Sequence, residues 1–161
     1  MATAPESDEQ LLGQLHGPLS VRLWLRMLSC TTIIEKRLRR RFIEQFDTTL
    51  PRFDVLAALE RYPAGITMGE LSQLLLVSNG NVTAIVRQLQ DQAHVAVEPA
   101  PHDRRSVIVA LTKNGAAHFA ELAAAHHRWI EAMFHHVPDE TQQALLAKLS
   151  AVKTSIAAET A

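Results

Sequence analysis

From Ser20 to about Phe46 the chain contains neither glycine nor proline, and Leu23, Met27, Cys30, Ile34, Leu38, Phe42 and Phe46 recur every three or four residues. That period predicts one long helix with a single apolar stripe. Before it, Leu11, Leu12 and Leu15 suggest a short helix or turn ahead of Gly17-Pro18, and residues 1–7 read as a frayed terminus. Thr49-Leu50-Pro51 has the form of a helix start with proline in the first turn. Phe53, Leu56, Ala57 and Leu59 give that second helix its inner face, and Tyr62-Pro63-Ala64-Gly65 ends it. Thr67-Met68-Gly69-Glu70 is a capping box, in which the threonine hydroxyl accepts from the Glu70 amide and the glutamate reaches back. The short helix behind it faces inward with Met68, Leu71, Leu74 and Leu75, and a turn near Leu76–Ser78 leads to another helix anchored by Val82, Ile85, Val86 and Leu89. The period then drops from 3.6 to 2. Val95 and Val97 alternate, as do Val107, Val109 and Leu111, so a two-stranded hairpin is expected, with a turn-forming, basic tip over residues 98–106. Thr112-Lys113-Asn114-Gly115 restarts helix to about His136, with Phe119, Leu122, Ile130, Met133 and Phe134 inside. Pro138-Asp139-Glu140 opens a last helix carrying Leu145, Leu146, Leu149, Val152 and Ile156.

Helix, short capped helix, tight turn, second helix and basic-tipped hairpin follow one another in the order of a winged helix-turn-helix. The predicted fold is mainly α: a winged helix-turn-helix lobe with a two-stranded wing, flanked by N- and C-terminal helices. In such a lobe the second helix of the pair fits the major groove of B-DNA, and the wing carries arginine toward a neighbouring minor groove. At 100° per residue, Gly80, Asn81, Ala84, Arg87 and Gln88 lie opposite the apolar anchor, and Ser78 is placed to cap the helix. Asn and Gln pair bidentately with adenine and Arg with guanine. The candidate recognition set is Ser78, Asn79, Gly80, Asn81, Thr83, Ala84, Arg87 and Gln88. Taken alone, these residues describe a solvated helix face with a tolerated glycine; the capping box before them and the Asp103-Arg104-Arg105 hairpin after them favour DNA.

Composition changes this picture little. The chain has 161 residues, one domain by length, with 47% hydrophobic residues to form a core. Its formal net charge of -1 means that bulk charge attracts no polyanion, so any affinity for DNA must come from local basic groups. A single cysteine, Cys30, forms no internal disulfide and suits a reducing compartment. The opening MATAPESDEQ lacks the basic-then-apolar order of a signal peptide, and no apolar run has the length of a membrane span. A soluble cytoplasmic protein without a membrane partner is expected. No nucleophile elbow, phosphate loop or set of clustered acids points to an enzyme, and no cofactor is implied.

Three blocks carry a family resemblance: Thr67-Met68-Gly69-Glu70-Leu71; Val77 to Thr83 with Leu89 in step; and Asp103-Arg104-Arg105-Ser106 with Val109-Ala110-Leu111-Thr112-Lys113-Asn114-Gly115. Together they resemble the MarR family of bacterial transcriptional regulators, over essentially the whole chain. The resemblance implies a homodimer of winged lobes, with dimerisation helices over residues 8–48, a DNA-binding lobe over 49–112 and further dimerisation helices over 113–158. It also implies double-stranded, pseudo-palindromic operator DNA as the partner, repression as the usual outcome, and release by a small, often aromatic, effector. Arg104 and Arg105 match the wing arginines, with Asp103 holding one of them. The Ser-Asn-Gly-Asn-Val-Thr stretch is most similar to regulators of hydroxycinnamate and related aromatic-acid catabolism, which implies an aromatic acid or its coenzyme A thioester as effector.

Other features are weighed beside that resemblance. Lys36, Arg37, Arg39, Arg40 and Arg41 form either a solvated basic face partly paired with Glu35 and Glu44, or an anion site for DNA phosphate or a phosphorylated effector. Trp24 and Trp129 read as packing residues, and Trp24 with Leu28 and Phe53 is a candidate lining for an aromatic pocket. Cys30, on the apolar stripe, reads as a buried, inert thiol; a peroxide-sensing thiolate is the alternative. His126-His127 and His135-His136 lack the spacing of a metal site and read as surface or interface residues, with metal sensing as the alternative and no metal expected. A helical dimerisation module that binds no DNA would explain the long helices but not the basic wing.

Overall fold

The computed structural model describes residues 17–75, 79–101 and 103–158. In chain order the elements are α1 (Leu19–Phe46), α2 (Leu50–Glu60), β1 (Ile66–Thr67), α3 (Met68–Leu75), α4 (Asn79–Asp91), β2 (Val95–Ala100), β3 (Asp103–Leu111), α5 (Lys113–Phe134) and α6 (Asp139–Ala158). Contacts divide the chain into two compact units, Met1–Leu122 and Ala123–Ala161, so α5 contributes to both.

Local chemistry sets the element ends. Thr49 caps α2, its hydroxyl accepting from the Arg52 amide at 3.4 Å, with proline in the first turn. Thr67 closes the capping box of α3: its amide and hydroxyl donate to Glu70 Oε2 at 2.8 and 2.7 Å, and the Glu70 amide donates to Thr67 Oγ1 at 3.2 Å. These bonds, the hydroxyl's first, hold the Glu70 carboxyl below the usual carboxylate range.

The sheet has three antiparallel strands in the order β1-β3-β2, where the sequence pattern predicts two. The added strand pairs Ile66 with Val109 and Thr67 with Ile108. Two residues are too few to show an alternation, and one of them also serves as the helix cap. Strand β2 pairs Val95 with Leu111 and Val97 with Val109, and the register shifts between Pro99 and Ala100, near the tip.

The first unit has its core where these elements meet. Phe42, Val55, Leu56, Leu59, Leu71, Val82 and Val109 are completely buried. Each such side chain contributes roughly 1.5–3 kcal/mol. Phe53 links three helices, its ring 4.9 Å from that of Phe42 on α1 and 5.7 Å from that of Phe119 on α5. The end of α4 is fastened to the start of α5. Ala93 turns left-handed (φ 57°), the His94 amide donates to the Leu89 carbonyl, and the Thr112 hydroxyl donates to the Ala93 carbonyl at 2.7 Å. Helix α5 comes so close that a Cβ on Gly115 would stand 1.8 Å from the His94 carbonyl oxygen, so only glycine fits.

The helix outside this core differs from expectation. Only Leu38 and Phe42 of α1 are buried, while Leu23 and Leu28 are exposed and Trp24 is 57% exposed. Cys30 is exposed as well, not buried as its place on the apolar stripe suggests. In the second unit Trp129 is buried, but α6 buries no residue, and Leu145, Leu146 and Leu149 stand exposed. Leu145, Leu146 and Leu149, with Phe134, line a shallow hollow of about 510 Å³.

Candidate nucleic-acid interface

Helix α4 has two dissimilar faces. Val82, Val86 and Leu89 are at most 1% exposed and Ile85 is half-buried, so the inner face is fixed in the core. Gly80, Asn81, Ala84, Arg87 and Gln88 are exposed, as the helical wheel predicts, and Thr83 is half-buried at the edge. A Cβ added to Gly80 would meet nothing within 4 Å, so the fold itself does not demand glycine there. What glycine provides is a low profile on the open face, where a backbone or base edge can approach closely. Ser78, the expected cap, lies outside the described residues. Asn79 opens α4, and Asp103, Arg104 and Arg105 open β3, but their side chains likewise lie outside the described residues.

Gln88 is not a free reader. Arg52, in the first turn of α2, donates to its Oε1 through Nε at 3.1 Å and Nη2 at 2.9 Å. Sequence reading missed Arg52, because the link spans 36 residues and no local pattern signals it. It joins the start of α2 to the exposed face of α4.

The basic run late in α1 is partly neutralised. Arg39 pairs with Glu35 at 3.2 Å and Arg40 with Glu44 at 3.7 Å, both one helical turn apart and exposed. Such pairs are worth about 0.3–0.5 kcal/mol each. Lys36 and Arg37 are exposed and Arg41 is half-buried. Nearby, the Asp54 carboxyl is raised from its ordinary 3.8 to about 6, mainly because its environment disfavours the charged form; Arg39 opposes this and Glu35 adds to it. Asp54, Arg61 and Tyr62 line a hollow of about 310 Å³ between α2 and α3.

The aromatic trio does not come together as an open pocket. Phe53 is a core residue sealed between two other rings, whereas Trp24 and Leu28 face outward on α1. Burial of Phe53 follows from its α2 stripe; the exposure of Trp24, expected to pack, does not follow from any local signal. The paired histidines have ring centroids 6.2 Å apart for His126 and His127 and 5.0 Å for His135 and His136. Burial, with a smaller effect of His127, lowers the His126 pKa. Among the described residues no three His, Cys, Asp or Glu side chains group as a metal site, and no helix is long and apolar enough to cross a membrane. A different pair, His94 and His118, stacks at 4.3 Å with rings 12° from parallel, and burial followed by His118 lowers the pKa of His94.

Comparison with known proteins places this geometry. The pattern of the MarR family matches residues 46–106, from the end of α1 to the start of β3. The transcriptional activatory protein BadR of Rhodopseudomonas palustris is 35% identical over 99 residues, which are 60% of this chain and 56% of BadR, so the match spans little more than half of that relative. The crystal structure of a MarR family transcriptional regulator from Silicibacter pomeroyi superposes with a TM-score of 0.72 at 27% identity, covering 96% of this chain and 99% of that one. A mutant of Escherichia coli MarR, in complex with operator DNA, superposes with a TM-score of 0.72 at 24% identity, covering 84% and 99%. The family segment spans the capped helix, the open-faced α4 and the first strand of the hairpin, and over 96% of its length the chain is similar in fold to a winged-helix regulator of the MarR family.

Proposed function

We propose that this regulator is a homodimeric repressor that binds a pseudo-palindromic operator and is released by an aromatic acid or its coenzyme A thioester. The observation that carries the DNA half of this reading is the open face of α4. Asn81, Ala84 and Arg87 are exposed around a glycine with empty space above it, on a helix whose other face is locked in the core. In this reading Asn79, Asn81, Arg87 and Gln88 meet base edges, the Ser78 end of the helix and Thr83 meet phosphate, and Arg104 and Arg105, with Asp103 beside them, enter the minor groove.

Residues 8–48 and 113–158 would supply the dimer contacts around the 49–112 lobe. Support comes from the exposed Leu19, Val21, Leu23 and Leu28 of α1 and, separately, from the exposed Leu145, Leu146 and Leu149 of α6, which a second copy would cover. For the effector, support comes from the likeness of the Ser78–Thr83 stretch to aromatic-acid regulators and from Lys36 and Arg37, whose exposed charges suit coenzyme A phosphates. BadR is named an activatory protein, so activation is the second reading of the sign of control.

The test is fluorescence anisotropy with duplexes from the region upstream of the protein's own gene, followed by titration with aromatic acids and their thioesters. Tight binding reversed by one of these ligands is the expected result. Binding that none of them reverses removes the effector assignment, and in vitro transcription decides between repression and activation.

A further inference from the structure

The fork on Gln88 restricts what that side chain can read. A guanidinium has only donors, so the atom held between Arg52 Nε and Nη2 is the amide oxygen. Two bonds at 3.1 and 2.9 Å fill both lone pairs of that oxygen. Arg52 is half-buried and its backbone is fixed by the Thr49 cap, so the fork is presented from a rigid turn, while Gln88 is exposed. A glutamine that reads adenine needs both of its ends: the oxygen accepts from N6 and the amino group donates to N7. With its oxygen occupied, Gln88 has only its amino group left, a pair of donors.

We propose that Arg52 sets base specificity by making Gln88 a donor-only reader, so that the base it faces is guanine, whose N7 and O6 offer two acceptors, rather than adenine. This rests on the reading of α4 as the helix that enters the major groove. Arg52 is a positioning residue here: it acts on DNA sequence through Gln88. Cytosine, with a donor at the same edge, is disfavoured by the same polarity, and thymine offers one acceptor in place of two.

The experiment is selection from a randomised duplex pool with the full-length protein, sequenced for base preference. The variants are Gln88→Ala, Arg52→Ala and Arg52→Lys. Gln88→Ala identifies the position that Gln88 reads as the one whose preference flattens. Guanine at that position in the wild-type protein is expected. Arg52→Ala frees the oxygen and moves the preference there to adenine, by on the order of tenfold, with other positions unchanged. Arg52→Lys still donates and keeps guanine, which also covers the case in which the alanine variant fails to fold. Adenine at that position in the wild type overturns the proposal. So does an Arg52→Ala variant that binds every sequence more weakly with its preferences intact, the behaviour of a plain phosphate contact. A wild-type selection that enriches no sequence overturns the regulator reading as well, so the two failures are distinguishable.

Discussion

The lobe spanning α2 to β3 and the terminal helix α6 both carry apolar stripes, yet they use them in opposite ways. In the lobe, Val55, Leu56, Leu59, Leu71, Val82 and Val109 are completely buried against one another. In α6 not one residue is buried, and Leu146 is 70% exposed. The lobe can hold its shape as a single chain, because three helices and a three-stranded sheet close around one core. The stripe of α6 leaves its apolar side chains exposed among the described residues. One region holds a surface rigid by its own packing, and the other leaves its stripe uncovered among the described residues.

Substitutions at matched leucines would break or sharpen that contrast. The largest effect is expected at Leu56: Leu56→Ala leaves a cavity in the lobe and costs about 2–5 kcal/mol in urea unfolding, at any protein concentration. Leu146→Glu is expected to act differently. It shifts sedimentation from dimer to monomer and makes the thermal midpoint insensitive to protein concentration, while the far-ultraviolet spectrum of the chain persists. Equal loss of stability from both substitutions in the dilute, monomeric regime would erase the distinction between the regions.

The smallest expected effect lies at Asp54, on α2. Its folded-state pKa of about 6 exceeds the ordinary 3.8. The folded protein therefore holds this proton more tightly than the unfolded chain, and stability attributable to the group is lost as pH rises from about 4 to about 6. Asp54→Asn should match the wild type below pH 4 and exceed it above pH 6 by about 1 kcal/mol, the full shift being discounted for the exposure of the residue. A constant difference across this range would show that the carboxyl is not desolvated.

The same contrast marks what the sequence makes legible. Features fixed by neighbours in the chain could be read directly: the span of α1, the Thr49 cap, the Thr67–Glu70 box and the inner face of α4 all depend on residues three or four apart. Features fixed by tertiary contact could not. Strand β1 exists only because β3 lies beside it, and its two residues have no period of their own. Arg52 reaches Gln88 across 36 residues, and His94 meets His118 across the α4–α5 junction. The exposed Cys30 and Trp24 show the limit of the apolar stripe as a signal: it tells that a face is to be covered, and not whether the same chain covers it. At the candidate interface, the outward set on α4 was legible because a helix with a core-bound face has only one other side. The restraint on Gln88 was not.

The central claim is that the outer face of α4 reads DNA sequence, and Arg87 is its exposed cation. The most direct measurement is the affinity of wild type and Arg87→Ala for the operator and for a scrambled duplex of equal length, across a salt series. The account predicts that the wild type prefers the operator and binds less tightly as salt rises, and that Arg87→Ala loses about 1–3 kcal/mol on the operator with little change on the scrambled duplex. Equal losses on both duplexes would reduce Arg87 to a phosphate contact and contradict the claim.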